Sequence, residues 1–359
     1  EREVCSLYPD SRCKKLRQAL GRHHGVEEQW IICGNGAADL IFGLAAALRP
    51  VRGLVTAPAF SEYEQALRSV GCRTDYYYLR WDAGFALDAA GMCGCVREAA
   101  ERGEPYDVVF LCNPNNPTGV LYQKEILLEI IRVARENGLM IFSDEIYDRL
   151  VMDGKQHEST ASLAEDVPMV TMNGLSKSHC LCGYRCGWMV LSGPRALTDE
   201  YREGIVQMTS MRLCANALAQ VAIPAALQDM ETPASMVRPG GRLYEQREAA
   251  VRELQKIDGI SFVKNDAAFY IFPRLDVRKF GITDDKKFAR DLLYNTHILL
   301  VPGSGFDWHD PDHFRIVMLP DKEVLSDAVR KIGSFLDGYN QKRVSIQSVY
   351  THPKKLQKK

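Results

Sequence analysis

The stretch that decides the fold opens with Val108-Val109-Phe110-Leu111-Cys112 and turns through Asn113-Pro114-Asn115-Asn116-Pro117-Thr118-Gly119. It continues from Lys124 to Asn137, with Ile126, Leu127, Ile130, Ile131 and Ala134 at helical spacing, and resumes as Leu139-Met140-Ile141-Phe142-Ser143. Two short apolar runs rich in β-branched and aromatic residues thus flank one amphipathic helix, which Gly138 closes by supplying a residue at ease in the left-handed region. Strand, helix, strand in this order predicts an α/β fold whose mostly parallel sheet is covered on both faces.

Outward from this unit the rhythm repeats. A strand is predicted over Gly53 to Pro58, a helix from about Ser61 to Val70 with Tyr63, Ala66, Leu67 and Val70 on one face, and strands over Met169 to Met172 and Gly187 to Leu191. After about Pro224 the pattern changes to a long charged helix over Arg242 to Ile257, strands at Ser261 to Val263, Phe269 to Phe272 and Phe314 to Met318, and helices at Asp284 to Tyr294 and Lys322 to Leu336. This predicts a large domain over residues 31–223 and a smaller α+β domain built from residues 1–30 and 224–340, with the helix of residues 12–24 joining the smaller one. Residues 341–359, basic and without an acid, are expected to form a disordered tail.

The chain of 359 residues is long enough for two such domains. With 45 Lys and Arg against 46 Asp and Glu it carries no global charge that would attract nucleic acid. Its apolar runs fall far short of the roughly 20 residues that cross a bilayer, so no membrane span is expected. Eleven cysteines follow a start, Glu1-Arg2-Glu3-Val4-Cys5, that is unlike an export signal, so the thiols are read as reduced and the protein as cytoplasmic. The missing initiator Met marks the chain as a candidate fragment. Cys93-Gly94-Cys95 and Cys180-Leu181-Cys182 have one intervening residue each and no His pair at metal spacing, so no metal site is expected.

Three segments carry chemistry. Val170-Thr171-Met172-Asn173-Gly174-Leu175-Ser176-Lys177 ends an apolar strand in a lysine, and a lysine leaving a strand end can be a partly desolvated amine suited to forming a Schiff base with an aldehyde. Most such lysines simply face solvent, and its neighbours shift the balance. The Asn/Pro-rich turn of residues 113–119 lies at the carboxyl end of a strand, where α/β proteins hold their ligands, and either Asn-Pro bond is a candidate for the cis form. In Ser143-Asp144-Glu145-Ile146-Tyr147 the acid is either a helix N-cap or a buried carboxylate paired with a cationic ring nitrogen. A cap alone leaves Tyr147 unexplained, three residues on and on the same helical face. Upstream, Gly34-Asn35-Gly36-Ala37-Ala38 opens a helix running through Leu40 and Phe42, whose free N–H groups suit an anion.

These motifs, with Gly183-Tyr184-Arg185-Cys186-Gly187-Trp188, resemble the pyridoxal-phosphate enzymes of the class I/II aminotransferase kind, fold type I, over nearly the whole chain. The resemblance implies pyridoxal 5'-phosphate as cofactor and Lys177 as the internal aldimine lysine and proton shuttle. It implies that Asp144 keeps the pyridine nitrogen protonated and that Asn116 and Tyr147 hydrogen-bond the ring's phenolic oxygen. The phosphate would sit on Arg185, Ser176 and the backbone around Asn35, Gly36 and Ala37. Phe60 matches the aromatic that stacks on the ring, Tyr8 a tyrosine that reaches the phosphate of the neighbouring subunit of a homodimer, and Arg315 in His313-Phe314-Arg315-Ile316-Val317 the clamp for the substrate carboxylate.

The two parts of the chain point to different members. From about Glu125 onward, segments such as Ser210-Met211-Arg212-Leu213-Cys214-Ala215-Asn216 and Gly240-Gly241-Arg242-Leu243-Tyr244-Glu245-Gln246-Arg247 look like glutamate–pyruvate (alanine) aminotransferases. Before about residue 120, Phe60-Ser61-Glu62-Tyr63-Glu64-Gln65-Ala66-Leu67 and the glycine-rich turn look more like threonine-phosphate decarboxylases and histidinol-phosphate aminotransferases. The second part holds the lysine loop and the clamp, so the expectation is amino transfer between alanine and a 2-oxo acid, 2-oxoglutarate or pyruvate. Two departures stand out. The family's N-terminal arm ahead of Tyr8 is expected to be absent, and the loop Ser178-His179-Cys180-Leu181-Cys182 lacks the usual aromatic, its thiols being read as solvent-facing.

Overall fold

In the computed structural model, which describes residues 6–343, the run Val108–Cys112 is a strand buried along its whole length. It is the fourth of seven: β1 (Ile31–Asn35), β2 (Arg52–Ala57), β3 (Arg73–Tyr78), β4 (Val108–Cys112), β5 (Met140–Asp144), β6 (Met169–Gly174) and β7 (Cys186–Ser192). They form one sheet in the order β1-β7-β6-β5-β4-β2-β3. From β3 to β6 neighbouring strands are parallel, while β7 runs antiparallel to both β6 and β1. Of the predicted tail, residues 344–359 lie outside the described residues.

The central strands are buried throughout because helices cover both faces. Leu127, Ile130 and Ile131 of the helix Lys124–Asn137 pack on one face with Met92 and Val96 of the helix Ala89–Glu101. Leu40, Ile41 and Leu44 of the helix Ala37–Leu48 pack on the other with Tyr63 and Leu67 of the helix Glu62–Ser69. Each large side chain buried in this way contributes about 1.5–3 kcal/mol. The helix Lys124–Asn137 ends as its sequence predicts, at Gly138 with φ +66°, whose N–H donates to Ala134 O.

Register brings the motifs together. Cys112 lies opposite Asp144, and Asp144 opposite Met172, so the loops that leave β4, β5 and β6 emerge side by side. The strand order also reverses at β2, which pairs with β3 on one side and β4 on the other, and the loops after β2 and β4 diverge there to leave a crevice.

Two small sheets follow. β8 (Ile260–Ser261) pairs with a strand at Arg274–Leu275, and β9 (Tyr270–Ile271) joins strands at Val301–Pro302 and Phe314–Val317. The helices Arg242–Leu254, Asp285–Thr296 and Lys322–Asp337 pack with them around Leu243, Phe288, Phe314 and Val329. The helix Lys14–His24, expected beside this unit, lies instead against the seven-stranded sheet. Its Leu16 and Leu20 pack with Ile31, Cys33 and Trp188, because its apolar stripe folds back onto the strand that follows it. His24 Nε2 accepts from the Trp188 indole N–H at 2.9 Å.

Candidate active site

β6 leaves the sheet through Asn173 and Gly174 and enters a short helix, Leu175–Ser178, that presents Lys177 to a cleft of about 250 Å³. A side chain at Gly174 would meet Cys186 O at 2.4 Å, so only glycine lets β6 and β7 close at this point. Lys177 Nζ stands 6.0 Å from the ring centre of Tyr147 and 5.8 Å from that of Phe269. Asn116, Asp144, Tyr147, Phe60, Ser176, Arg185 and Arg315 line the same cleft, as the sequence leads one to expect.

Asp144 is fully buried at the end of β5. Its Oδ2 accepts from the Tyr63 hydroxyl at 2.7 Å and its Oδ1 from the Ile146 N–H at 3.1 Å. Burial pushes its pKa up, and the Tyr63 bond, the Ile146 N–H and the nearby Lys177 ammonium pull it back. No helix follows Asp144. The segment after it is a turn, which Asp144 itself helps to close, so Tyr147 reaches the cleft by turn geometry rather than along a helical face. The Tyr147 hydroxyl lies 3.0 Å from that of Tyr270.

Across the cleft, Arg315 projects from the strand Phe314–Val317. Its Nη1 donates to Asn116 Oδ1 at 2.9 Å, and its guanidinium lies between the rings of Tyr270, at 4.5 Å, and Phe306, at 4.6 Å. Its Nε is buried without a hydrogen-bond partner. The guanidinium lines the cleft, and its planar fork of donors suits a ligand carboxylate.

The anion end forms where the helix Ala37–Leu48 starts, with Ala37 and Ala38 at the cleft wall. Gly36 has φ +89°, and a Cβ there would lie 2.3 Å from Arg185 Nη2, so the glycine makes room for the guanidinium. Arg185 Nη1 donates to Cys182 O at 2.9 Å. Asn35 does not line the cleft with its side chain: Oδ1 accepts from the Asn216 N–H at 2.9 Å, which ties the turn to the start of the helix Ala217–Ala226. Tyr8 is 83% exposed and stands apart from this cleft. Of the cysteine loop, Cys180 and Cys182 are exposed, and Cys182 reaches the cleft rim.

Three residues at the site escape the sequence reading. Tyr63 and Tyr270 fall on apolar faces of a helix and a strand and read as core, and Phe306 ends a single 3-10 turn, Gly303–Phe306. The one available signal is the spacing Phe60-x-x-Tyr63, which runs from the loop after β2 into the first turn of the helix Glu62–Ser69. Among the described residues no group of three or more His, Cys, Asp or Glu side chains is arranged to hold a metal ion, and no helix is long and apolar enough to cross a membrane.

Residues 1–332 match the family model described as aminotransferase class I and II. The chain belongs to the class I and II aminotransferases. The aminotransferase is 41% identical over 313 residues to the glutamate-pyruvate aminotransferase AlaA of Haemophilus influenzae, covering 87% of this chain and 76% of that one. It is 39% identical over 343 residues to the Escherichia coli protein of the same name, covering 93% and 83%. In structure it is similar to an aminotransferase from Escherichia coli, with TM-score 0.85, 38% identity and coverage of 90% and 81%. The fold is therefore that of the fold type I enzymes, and the sequence-based assignment of class holds.

Proposed function

We propose that the aminotransferase moves the amino group of alanine to 2-oxoglutarate, and in the reverse direction that of glutamate to pyruvate, with pyridoxal 5'-phosphate as cofactor in the cleft around Lys177. The observation that carries this reading is the Arg315 guanidinium, held by Asn116 and lining the cleft that also holds an amine and a buried carboxylate. The names of the relatives support alanine as donor, and the modest aromatic-walled cleft supports a small side chain.

The residues suit the cofactor group by group. The helix start at Gly36 and Ala37, Ser176 and Arg185 would hold its phosphate, Phe60 would cover its ring, and Asn116 and Tyr147 would donate to its ring oxygen. Asp144 would hold the ring nitrogen's proton, its charge maintained by Tyr63. When bound, the cofactor supplies an aldehyde that receives the amino group and a ring that takes up electron density from the substrate α-carbon. Lys177 then moves the proton at that carbon, while Arg315 holds the carboxylate and fixes which bond faces the lysine.

The reading extends to assembly. Tyr8, exposed and away from its own cleft, would reach the phosphate of a neighbouring subunit, which implies a homodimer with shared sites. We also divide the chain into a cofactor domain over 31–223, on which the helix Lys14–His24 packs, and a smaller domain over 224–340. A cytoplasmic location goes with the reduced thiols.

The test is a screen of amino donors against 2-oxoglutarate and pyruvate with the cofactor-loaded enzyme and its Lys177→Ala variant. Alanine turnover that falls by at least about a thousandfold in Lys177→Ala is expected. Turnover of O-phosphothreonine or histidinol phosphate in place of alanine would overturn the donor assignment, and parental activity in Lys177→Ala would overturn the mechanism.

A further inference from the structure

Tyr270 joins two parts of the site that come from different sheets. Its residue pairs with Val317 and Ile271 pairs with Ile316, so β9 lies directly beside the strand that carries Arg315. This pairing sets the Tyr270 ring 4.5 Å from the guanidinium carbon, and the Phe306 ring lies 4.6 Å from it. The same side chain puts its hydroxyl 3.0 Å from the hydroxyl of Tyr147, which arrives from the loop after β5. Both tyrosines are buried. Burial, with the facing Tyr270 hydroxyl, holds the Tyr147 phenol well above its ordinary pKa, so Tyr147 remains a proton donor at any working pH.

Two phenols at hydrogen-bond distance share one proton between them, and the other hydrogen is free to point elsewhere. When Tyr270 donates to Tyr147, the Tyr147 hydrogen is directed into the cleft and its donor strength rises through the chain of bonds. We propose that Tyr270 is a positioning residue with two separable roles: its ring holds Arg315 flat for the substrate carboxylate, and its hydroxyl aims the Tyr147 proton at the cofactor's ring oxygen. The inference rests on the cofactor reading given above. Because the ring does one task and the hydroxyl the other, removing the hydroxyl alone separates them. Asp144 takes its hydrogen bonds from Tyr63 and Ile146, and Arg315 takes Asn116 as its polar partner, so changes at Tyr270 leave those contacts in place.

The direction of the effect follows from the charges. A donor at the ring oxygen favours its negative form, which accompanies the unprotonated lysine–cofactor linkage, and a weaker donor therefore raises the pH at which that proton leaves.

The experiment uses the cofactor-loaded enzyme and three variants, Tyr270→Phe, Tyr270→Leu and Phe306→Leu. Two quantities are read: the pH midpoint of the bound cofactor's visible absorbance, and the Kd for propionate, a carboxylate with no amine. Tyr270→Phe should raise the midpoint by about half to one unit and leave propionate binding within about twofold. Phe306→Leu, which removes the second ring beside Arg315 and leaves both tyrosine hydroxyls in place, should leave the midpoint unmoved and weaken propionate by about fivefold. Tyr270→Leu should do both, and if it fails to fold, Tyr270→Met takes its place. An unmoved midpoint in Tyr270→Phe, or undiminished propionate binding in Tyr270→Leu (Tyr270→Met where the leucine variant does not fold), overturns the inference while leaving the cofactor reading intact. A parent enzyme that shows no pH-dependent absorbance after loading overturns the cofactor reading and the inference with it.

Discussion

The Tyr63 hydroxyl donates to Asp144 Oδ2 at 2.7 Å, and both groups are fully enclosed. The tyrosine ring is itself stacked on Phe110, centres 4.9 Å apart and planes at 16°, so the donor comes from a side chain that packing has already fixed. In Tyr63→Phe the stack survives and the hydrogen bond does not. Burial then acts on Asp144 with less opposition, and its negative charge becomes harder to maintain. We expect kcat to fall about 10- to 100-fold, as for other supporting hydrogen bonds, with the cofactor still retained. Steady-state kinetics beside an absorbance measurement of cofactor content checks this, and an unchanged kcat would count against the role given to the bond.

At Arg315 the conservative change is the informative one. Lysine keeps the charge but loses the flat fork held between Tyr270 and Phe306 and its two-point grip on a carboxylate. Arg315→Lys should raise KM for both the amino acid and the oxo acid by about a hundredfold, since both carry a carboxylate, with a smaller effect on kcat. A rise for only one of the two substrates would show that a second group handles the other.

The anion end depends on a missing side chain. Gly36→Ala combines a left-handed backbone at φ +89° with a methyl group 2.3 Å from Arg185 Nη2. The guanidinium must move, and cofactor affinity should fall by at least about tenfold when measured by equilibrium dialysis. Retained affinity would mean that Arg185 is not needed at the phosphate.

Glu145 gives a prediction about stability. The Ser143 hydroxyl donates to its carboxyl at 2.9 Å and the Thr160 N–H at 2.8 Å, and burial still pushes it up to about 7. Between pH about 4.3, where the unfolded side chain ionises, and pH about 7, the folded protein keeps a proton that the unfolded chain has lost. The contribution is thus fully present below that window, declines through it and is gone above it, on the order of 3 kcal/mol in all. Glu145→Gln should flatten this part of the curve of urea midpoint against pH. Parallel curves for parent and variant would refute the assignment.

Asn116, Asp144 and Lys177 were legible because each lies at or just past the carboxyl end of a parallel strand, where sequence order and sheet register agree. What the sequence hid are the partners these residues find across space. Tyr63 and Tyr270 obey apolar periodicity perfectly well and reveal their hydroxyls' use only once Asp144 and Tyr147 are opposite them. The segment after Asp144 reads as helical by spacing, yet the aspartate's own carboxylate takes the Ile146 N–H and turns the chain. Strand Arg73–Tyr78 escaped notice because it is a half-exposed sheet edge with no clean alternation, and the helix Ala89–Glu101 because Gly91 and Gly94 interrupt it. The N-terminal helix carries a clear apolar stripe, but a stripe does not say which sheet it will cover.

Lys177 is carried by the large sheet and Arg315 by a small one, and the Asn116–Arg315 hydrogen bond holds the two at a set separation. Under the proposed function, such a frame acts as a ruler. β-Alanine and γ-aminobutyrate, whose amine and carboxylate lie further apart than those of an α-amino acid, should be poor donors in the same screen. Selection by backbone length would then reside in the frame itself, ahead of any contact with the side chain.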